Sequence, residues 1–568
     1  MTGSASHVVI GSRLERYLVS ASPPAEIRGL ARKLGRDRQI TLVRTIAQAR
    51  AADGCPAIAV IETTPERAAA LARMSSVRLE PEQRLGWHPA GAQKTGEIAS
   101  ALAAPAGELR PAVVVVEDDS GRPVSEAAVY LSGHGPPAMG FTGADGRAEL
   151  TVPVETASGP EFLAVRPARD CWPTRVIRPH LSASEPVSVR CERITTTFPG
   201  FLERPLRSWG AQAMGFGKLP PTHCGEGIRI AIIGSGAAGT HPDLVNRLSD
   251  GRDVVGQDDK SWREDLIGTG THHAVLVGGE DNGTGVTGLA PGAEVHICRT
   301  APRGTSADLI EALEYCIERE IDVALISTGI AASSMLLAAK VSQARRRGIA
   351  CVAAAGDGGR EIACPAALPD VLAVGAVGQL GTFPSSSGIA AEATGPPTAD
   401  GLFAPSFANY GPGLNCCAPG VAVISGLPPA SYGPLDGTGV AAAHVAAAAA
   451  LVLAHHPQFR RERGQPPVTR DANRVDRLFE LILDSCRPLP AIGPLRSGAG
   501  MPDVPTALGV APGRRHAAAH VPEGSQAPPS AVPGPAEDPL RAVLAVLETG
   551  GLLPGLPAQS DQGALGGR

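Results

Sequence analysis

Aromatic residues are scarce in this chain, at 3 % of 568 residues, and its eleven cysteines include no CxxC pair. The odd, scattered cysteine count excludes a complete disulfide framework. Cys171 and Cys191 stand close enough in sequence to pair within one domain, and the adjacent Cys416 and Cys417 invite a metal reading. Reduced, partly buried thiols are the expectation. There is no basic excess either: 51 Lys and Arg face 56 Asp and Glu, a net charge of −5. That balance provides no field for a nucleic-acid backbone or an anionic membrane surface, so neither is expected as a partner. The longest apolar run, Val440 to Leu453, is short for a bilayer and contains His444. The opening MTGSASHVVIGSRLERYLV lacks a basic stretch followed by a long apolar one. It does not read as a secretion leader, and a cytoplasmic location is expected. No HExxH or similar ligand spacing occurs, so neither metal nor cofactor is expected.

What is present is length and a hydrophobic content of 43 %, enough for several cores. About three or four units follow from ordinary domain size. Residues 8–82 alternate RYLVSAS, EIRGLARKLG, ITLVRTI, AIAVIET, PERAAALARM and VRLEP, which predicts strand, helix, strand, strand, helix, strand in a small split βαβ unit. Residues 83–110 turn to Ala, Gly and Pro and read as a linker. Residues 111–193 carry β-rich runs broken by turn formers at Asp119–Gly121 and at Asp145 and Gly146. This pattern predicts a small β-sandwich, similar to the transthyretin-like or carboxypeptidase-regulatory modules. Residues 511–568 are rich in Pro, Ala, Gly and Ser and read as a disordered tail. Within it Leu540, Val543, Leu544 and Leu547 recur at helical spacing, which predicts a short helix near 538–549. Docking on another protein and folding back on this chain both stay open for that helix.

Residues 201–510 carry motifs at consistent long-range spacing. IRIAIIGSGAAGTHPDL is an apolar strand, a glycine turn and an HPDL tail; GTGTHHAVLVGG is followed by NGTGVTGLAPGAEV; then come IDVALISTG, GIACVAAAGDGG and GTGVAAAHVAAAAALVL. Together they resemble the subtilisin-like serine protease (subtilase) family. The resemblance implies a three-layer α/β domain with a mostly parallel sheet and a site at the sheet's C-terminal edge. It implies an aspartate where this chain has Gly234, a histidine at Thr269, the nucleophilic serine at Gly439 and an oxyanion-binding asparagine at Asp357. Ser327, Thr328, Gly329 and Ile330 match the substrate-groove edge, and His272 matches a structural histidine. Residues 8–82 resemble the inhibitory propeptide of that family, which lays its C-terminal end in the groove.

A serine-protease relay needs a hydroxyl, an imidazole, an orienting carboxylate and oxyanion donors. Gly439, Thr269, Gly234 and Asp357 supply none of these in the implied places. The expectation is a catalytically inactive subtilase-like protein that binds a peptide or protein partner, or a scaffold plugged by its own propeptide-like unit. The alternative is a divergent serine endopeptidase whose chemistry has moved to Ser235, His272, His273, Asp357 or Thr438. Glycine at 234 and 439 is expected to leave the cleft floor wider. Asp357 either projects negative charge, or is protonated or capped by backbone donors. His241, Asp243, His272 and His273 fit the family backbone without an ion.

Overall fold

The computed structural model describes residues 14–21, 39–47, 57–74, 77–86, 109–133, 138–153, 157–182, 185–256, 258, 260–460 and 469–510. The sequence-predicted helix EIRGLARKLG and the tail 511–568 with its helix near 538–549 lie outside these residues.

The first unit is a four-stranded antiparallel sheet of β1 (Glu15–Ala21), β2 (Thr41–Ala47), β3 (Ile58–Thr63) and β4 (Val77–Pro81), in the order β2-β3-β1-β4. Strand alternation gives it two apolar faces. Tyr17, Val19, Ala59 and Ile61 pack on Ala68 and Leu71 of helix α1 (Pro65–Ala72). Leu18, Ile58 and Val60 point the other way, into a core shared with the large α/β unit. This sheet is therefore half of an interface as well as a small core of its own.

The second unit stacks two sheets. One holds β10 (Thr174–Ile177), β9 (Pro160–Arg166), β6 (Ala128–Gly133) and β7 (Ala138–Phe141); the other holds β11 (Val187–Cys191), β5 (Leu109–Asp118) and β8 (Arg147–Pro153). Val114, Val116, Val129, Leu131, Val152, Leu163 and Val165 are fully buried between them. Its far end docks on the large unit: the Asp170 N–H donates to the Tyr432 carbonyl at 2.8 Å, and Trp172 is buried in the larger core.

The large unit is built on a nine-stranded sheet. Its parallel centre runs β13 (Leu248–Asp253), β14 (Glu294–Arg299), β12 (Arg229–Gly234), β15 (Val323–Ile326), β16 (Ala350–Ala354) and β17 (Val371–Gln379). The strand Cys416–Pro419 pairs parallel with β17, and the strands Ala393–Thr394 and Leu402–Pro405 continue the sheet antiparallel. Near-continuous apolar runs such as IAII and VALI are what strands covered on both faces require. On one face lie α2 (Thr269–Gly278) and α5 (Thr438–His455); on the other lie α3 (Ser306–Glu318) and α4 (Met335–Arg346). Helix α5 is apolar all round, and its alanines at 441–443 and 446–450 let it lie in the middle of the core. Length and hydropathy alone would admit it to a membrane, but 89 % of it is buried inside the protein.

Candidate functional site

The site forms where β12 and β15 end and where α2 and α5 begin. Asp265 sets the start of α2: its two carboxylate oxygens accept from the Ile267, Gly268 and Thr271 amides and from the Thr271 hydroxyl, at 2.7 to 2.9 Å. Gly270 permits the close approach of this helix start to the β12 turn, since a Cβ there would lie 1.8 Å from the Gly236 carbonyl oxygen. Replacing Asp265 by alanine leaves buried donors without partners, so a loss of at least about 2 kcal/mol is expected in urea unfolding.

Gly234, Ser235, Thr269, His273, Ser327, Asp357 and Gly439 line one cleft. The four positions that the sequence singled out as catalytic thus come together from four separate segments. Thr269 and Ser235 share a hydroxyl–hydroxyl bond of 2.9 Å, and the Ser235 oxygen also accepts from the Gly270 amide at 2.8 Å. Neither partner is a base that can take a serine proton.

The floor is not wider, as the glycines suggested. A Cβ at Gly234 would lie 2.8 Å from the Ser327 hydroxyl oxygen, which donates to the Ile233 carbonyl at 3.0 Å. A Cβ at Gly439 would lie 3.0 Å from His273 Cε1, 3.2 Å from His273 Nε2 and 3.3 Å from Ser327 Cβ. Neighbouring side chains occupy the space, which no single position of the sequence reveals.

Asp357 Oδ1 accepts the Thr438 amide at 2.6 Å, and the Thr438 hydroxyl accepts the Gly356 amide at 2.9 Å. The carboxylate therefore sits on the N-terminus of the 18-residue helix α5, where backbone donors and the helix dipole favour an anion. Of the readings of Asp357, backbone capping describes the geometry.

Of the other sequence candidates, His272, His241 and Asp243 are held by hydrogen bonds within the core. His272 Nε2 donates to the Val423 carbonyl at 2.8 Å, and burial pushes its pKa down to about 3. His273 is likewise pushed down to about 4 by burial. His241 Nε2 bonds the Ser431 carbonyl at 3.0 Å, and Asp243 accepts from the Tyr432 hydroxyl and the Val286 amide, each at 3.0 Å. Cys416 and Cys417 are buried free thiols, as are Cys171 and Cys191, and burial pushes Cys191 up to about 11.

The segment that the resemblance assigns to the groove edge carries a strand from the same chain. The Leu85 amide donates to the Gly304 carbonyl at 2.9 Å and the Gly86 amide to the Gly329 carbonyl at 2.8 Å. The Thr328 hydroxyl donates to the Gly86 carbonyl at 2.7 Å, and the Ser306 amide to the Gln83 carbonyl at 2.7 Å. Arg84 and Gly86 pair antiparallel with Thr305 and Gly329. Ile330, also assigned to the edge, instead donates its amide to the Cys364 carbonyl at 2.8 Å. Leu85 is buried in the same apolar cluster as Ala307, Ile310 and Ile330. Side chains fasten the segment further. Glu82 accepts from the Thr305 hydroxyl at 2.7 Å, Glu80 from the Met335 amide at 3.0 Å and from the Ser334 hydroxyl, and Arg44 pairs with Glu311 at 2.9 Å and with Asp308. Sequence reading placed residues 83–86 in a linker. The one signal against it was Leu85, a lone large apolar residue among polar neighbours. Leu435 and Asp436, which line the cleft, also border a pocket lined by Arg166, Arg169 and Cys171 of the second unit.

Comparison with known proteins agrees with this architecture. Residues 225–482 match the profile of the subtilase family. Subtilisin BL of Lederbergia lenta is 33 % identical over 259 residues, covering 44 % of this chain and 86 % of that protein. Subtilisin E of Bacillus subtilis (strain 168) is 32 % identical over 265 residues, and the match spans 44 % of this chain and 63 % of that protein. The major intracellular serine protease of the same strain is 30 % identical over 259 residues, which cover 43 % of this chain and 74 % of that protein. With its parallel sheet, its two helix starts meeting at one cleft and this level of identity over most of a subtilisin's length, the chain belongs to the subtilase family.

Proposed function

We propose that this subtilase-family protein is a catalytically silent peptide-groove protein, held plugged by its own residues 82–86. The observation that carries the reading is the strand of Gln83–Gly86 bonded along Gly304–Ser306 and Thr328–Gly329. An extended peptide added to a sheet edge gains affinity from main-chain bonds whatever the catalytic residues are. The cleft beside it supports the silent half of the reading. Gly439 has no side chain, Thr269 no imidazole and Gly234 no carboxylate, and Asp357 puts an acceptor where an oxyanion would need donors. Losing a catalytic serine or histidine costs a subtilisin about a million-fold in turnover.

A relocated endopeptidase is the competing reading, and similarity to active subtilisins is the observation in its favour. Ser235 is its best nucleophile, but the hydroxyl is bonded to Thr269 and Gly270 and not to a base.

Incubating the full chain with a diverse peptide pool and following termini by mass spectrometry separates the two. No new peptide termini are expected, and the chain is expected to stay uncut between 86 and 109. Nicking that segment with an added protease and then breaking the latch with Leu85→Asp is expected to create retention of intact peptides. New cleavage products that disappear in Ser235→Ala would establish the endopeptidase instead.

A further inference from the structure

Three buried histidines meet behind the cleft, and their hydrogen bonds determine where the protons sit. His272 gives Nε2 to the Val423 carbonyl at 2.8 Å, and His444 gives Nδ1 to the Val440 carbonyl at 3.0 Å. A carbonyl only accepts, so those nitrogens carry the proton. The remaining nitrogens, His272 Nδ1 and His444 Nε2, are buried without a partner. In a neutral ring they are bare, and a bare buried nitrogen is easier to tolerate than an orphaned N–H.

His273 follows the same rule with a different outcome. Its Nδ1 is also buried without a partner, and the ring is 2 % exposed, so packing holds its orientation. A bare Nδ1 leaves the proton on Nε2, and Nε2 lies on the cleft side, 3.2 Å from the point where a Cβ of Gly439 would stand. His273 and Gly439 both line the cleft, so this N–H faces it and a side chain at 439 would stand in its approach. A ligand here must accept a hydrogen bond. An anion would meet the Asp357 carboxylate already fixed to the same helix start by the Thr438 amide. A cation offers nothing that an N–H donor can use.

We infer that the cleft over Gly439 is a binding site for a neutral carbonyl oxygen, such as a peptide or amide carbonyl, with the His273 Nε2–H as its donor. This deepens the peptide-binding reading by naming the chemistry of its central contact. The first measurement below does not depend on peptide retention, so failure of either one is distinguishable from failure of the other.

The full chain, labelled with 15N-histidine, is examined by long-range 1H–15N correlation, with His273→Val identifying the signal. The neutral tautomer protonated at Nε2 is expected at pH 7; an Nδ1–H tautomer or a charged ring overturns the inference. N,N-dimethylacetamide, an acceptor without donors, is then titrated in. A saturable shift of the His273 Nε2 signal is expected, with a weaker response to acetate and none to guanidinium. Gly439→Ala should abolish the shift by filling the approach. If that variant does not fold, loss of saturation transfer to the amide methyls in His273→Val serves the same purpose. The expected tautomer without any amide response means that the site holds only water, and overturns the ligand assignment.

Discussion

Gly439→Ser is expected to leave the protein unreactive toward a fluorophosphonate probe while making it easier to unfold. The new Cβ would stand 3.0 Å from His273 Cε1, 3.2 Å from His273 Nε2 and 3.3 Å from Ser327 Cβ. These contacts are tighter than a packed core normally holds, and forcing extra atoms into such a site costs about 1–3 kcal/mol. The hydroxyl gains no base: Thr269 stands where the imidazole would and is bonded to Ser235, and the neighbouring His273 Nε2 is a donor in the tautomer inferred above. Restoring Gly234→Asp alone meets a similar obstacle, the Ser327 oxygen at 2.8 Å from the new Cβ. Combining Gly439→Ser with His273→Ala is expected to cost less than the sum of the two, with a coupling of about 1 kcal/mol or more, because the second change vacates the space the first one needs. Urea unfolding of the two single variants and the double variant measures this. Strict additivity would show that His273 does not crowd position 439, and probe labelling of Gly439→Ser would show that another base reaches it.

Acid should destabilise the fold steeply, and in the range where most proteins are still comfortable. Burial pushes His272 down to about 3, and His273 and His444 down to about 4, from an ordinary 6.5. Above pH 6.5 all three rings are neutral in both folded and unfolded chains, and their contribution is intact. As pH falls through 6.5 the unfolded chain takes up protons that the folded one refuses until its own pKa is reached. Stability is therefore lost through the window from 6.5 to about 4, and for His272 to about 3. Each ring contributes up to about 1.4 kcal/mol per pH unit there, so the three together reach about 4 kcal/mol per unit. Such a slope exhausts an ordinary domain stability of about 5–15 kcal/mol within a few pH units. His241 and His296, also lowered by burial, act in the same direction. Asp265 and Asp436, raised by burial, act in the opposite one. Asp170 and Glu311 are raised too, but seven histidines are lowered against these four carboxylates, so the histidines set the trend. Thermal melts by circular dichroism from pH 7.5 to 4.5 are expected to show a falling midpoint, and His273→Ala should reduce the slope by its one-ring share. A midpoint independent of pH would mean that the rings are not held neutral.

The domain fold was legible because it rests on periodicity and spacing. IRIAIIG and IDVALI are strand-length apolar runs, GTGTHHAVLVGG opens a helix after a glycine turn, and the distances between such segments leave few ways to connect a parallel sheet. The identities at 234, 269, 357 and 439 were equally legible, since each is read from its own motif. The plug was not. Gln83–Gly86 has no pattern of its own, and what holds it is a set of backbone bonds to residues more than 200 positions away.

The glycines mark the same boundary most sharply. Sequence alone determined that positions 234 and 439 carry no side chain, at places where the family resemblance implies an aspartate and a serine. It suggested empty space, because an absence at one position says nothing about who fills it. Only the tertiary structure decided that Ser327 and His273 crowd those two places, that the Asp357 carboxylate is tied to the start of α5, and that residues 82–86 are bonded along Gly304–Ser306 and Thr328–Gly329. The physical reason is that side-chain identity and local propensity are properties of short segments, whereas close packing and hydrogen-bond satisfaction are settled between segments that only folding brings together.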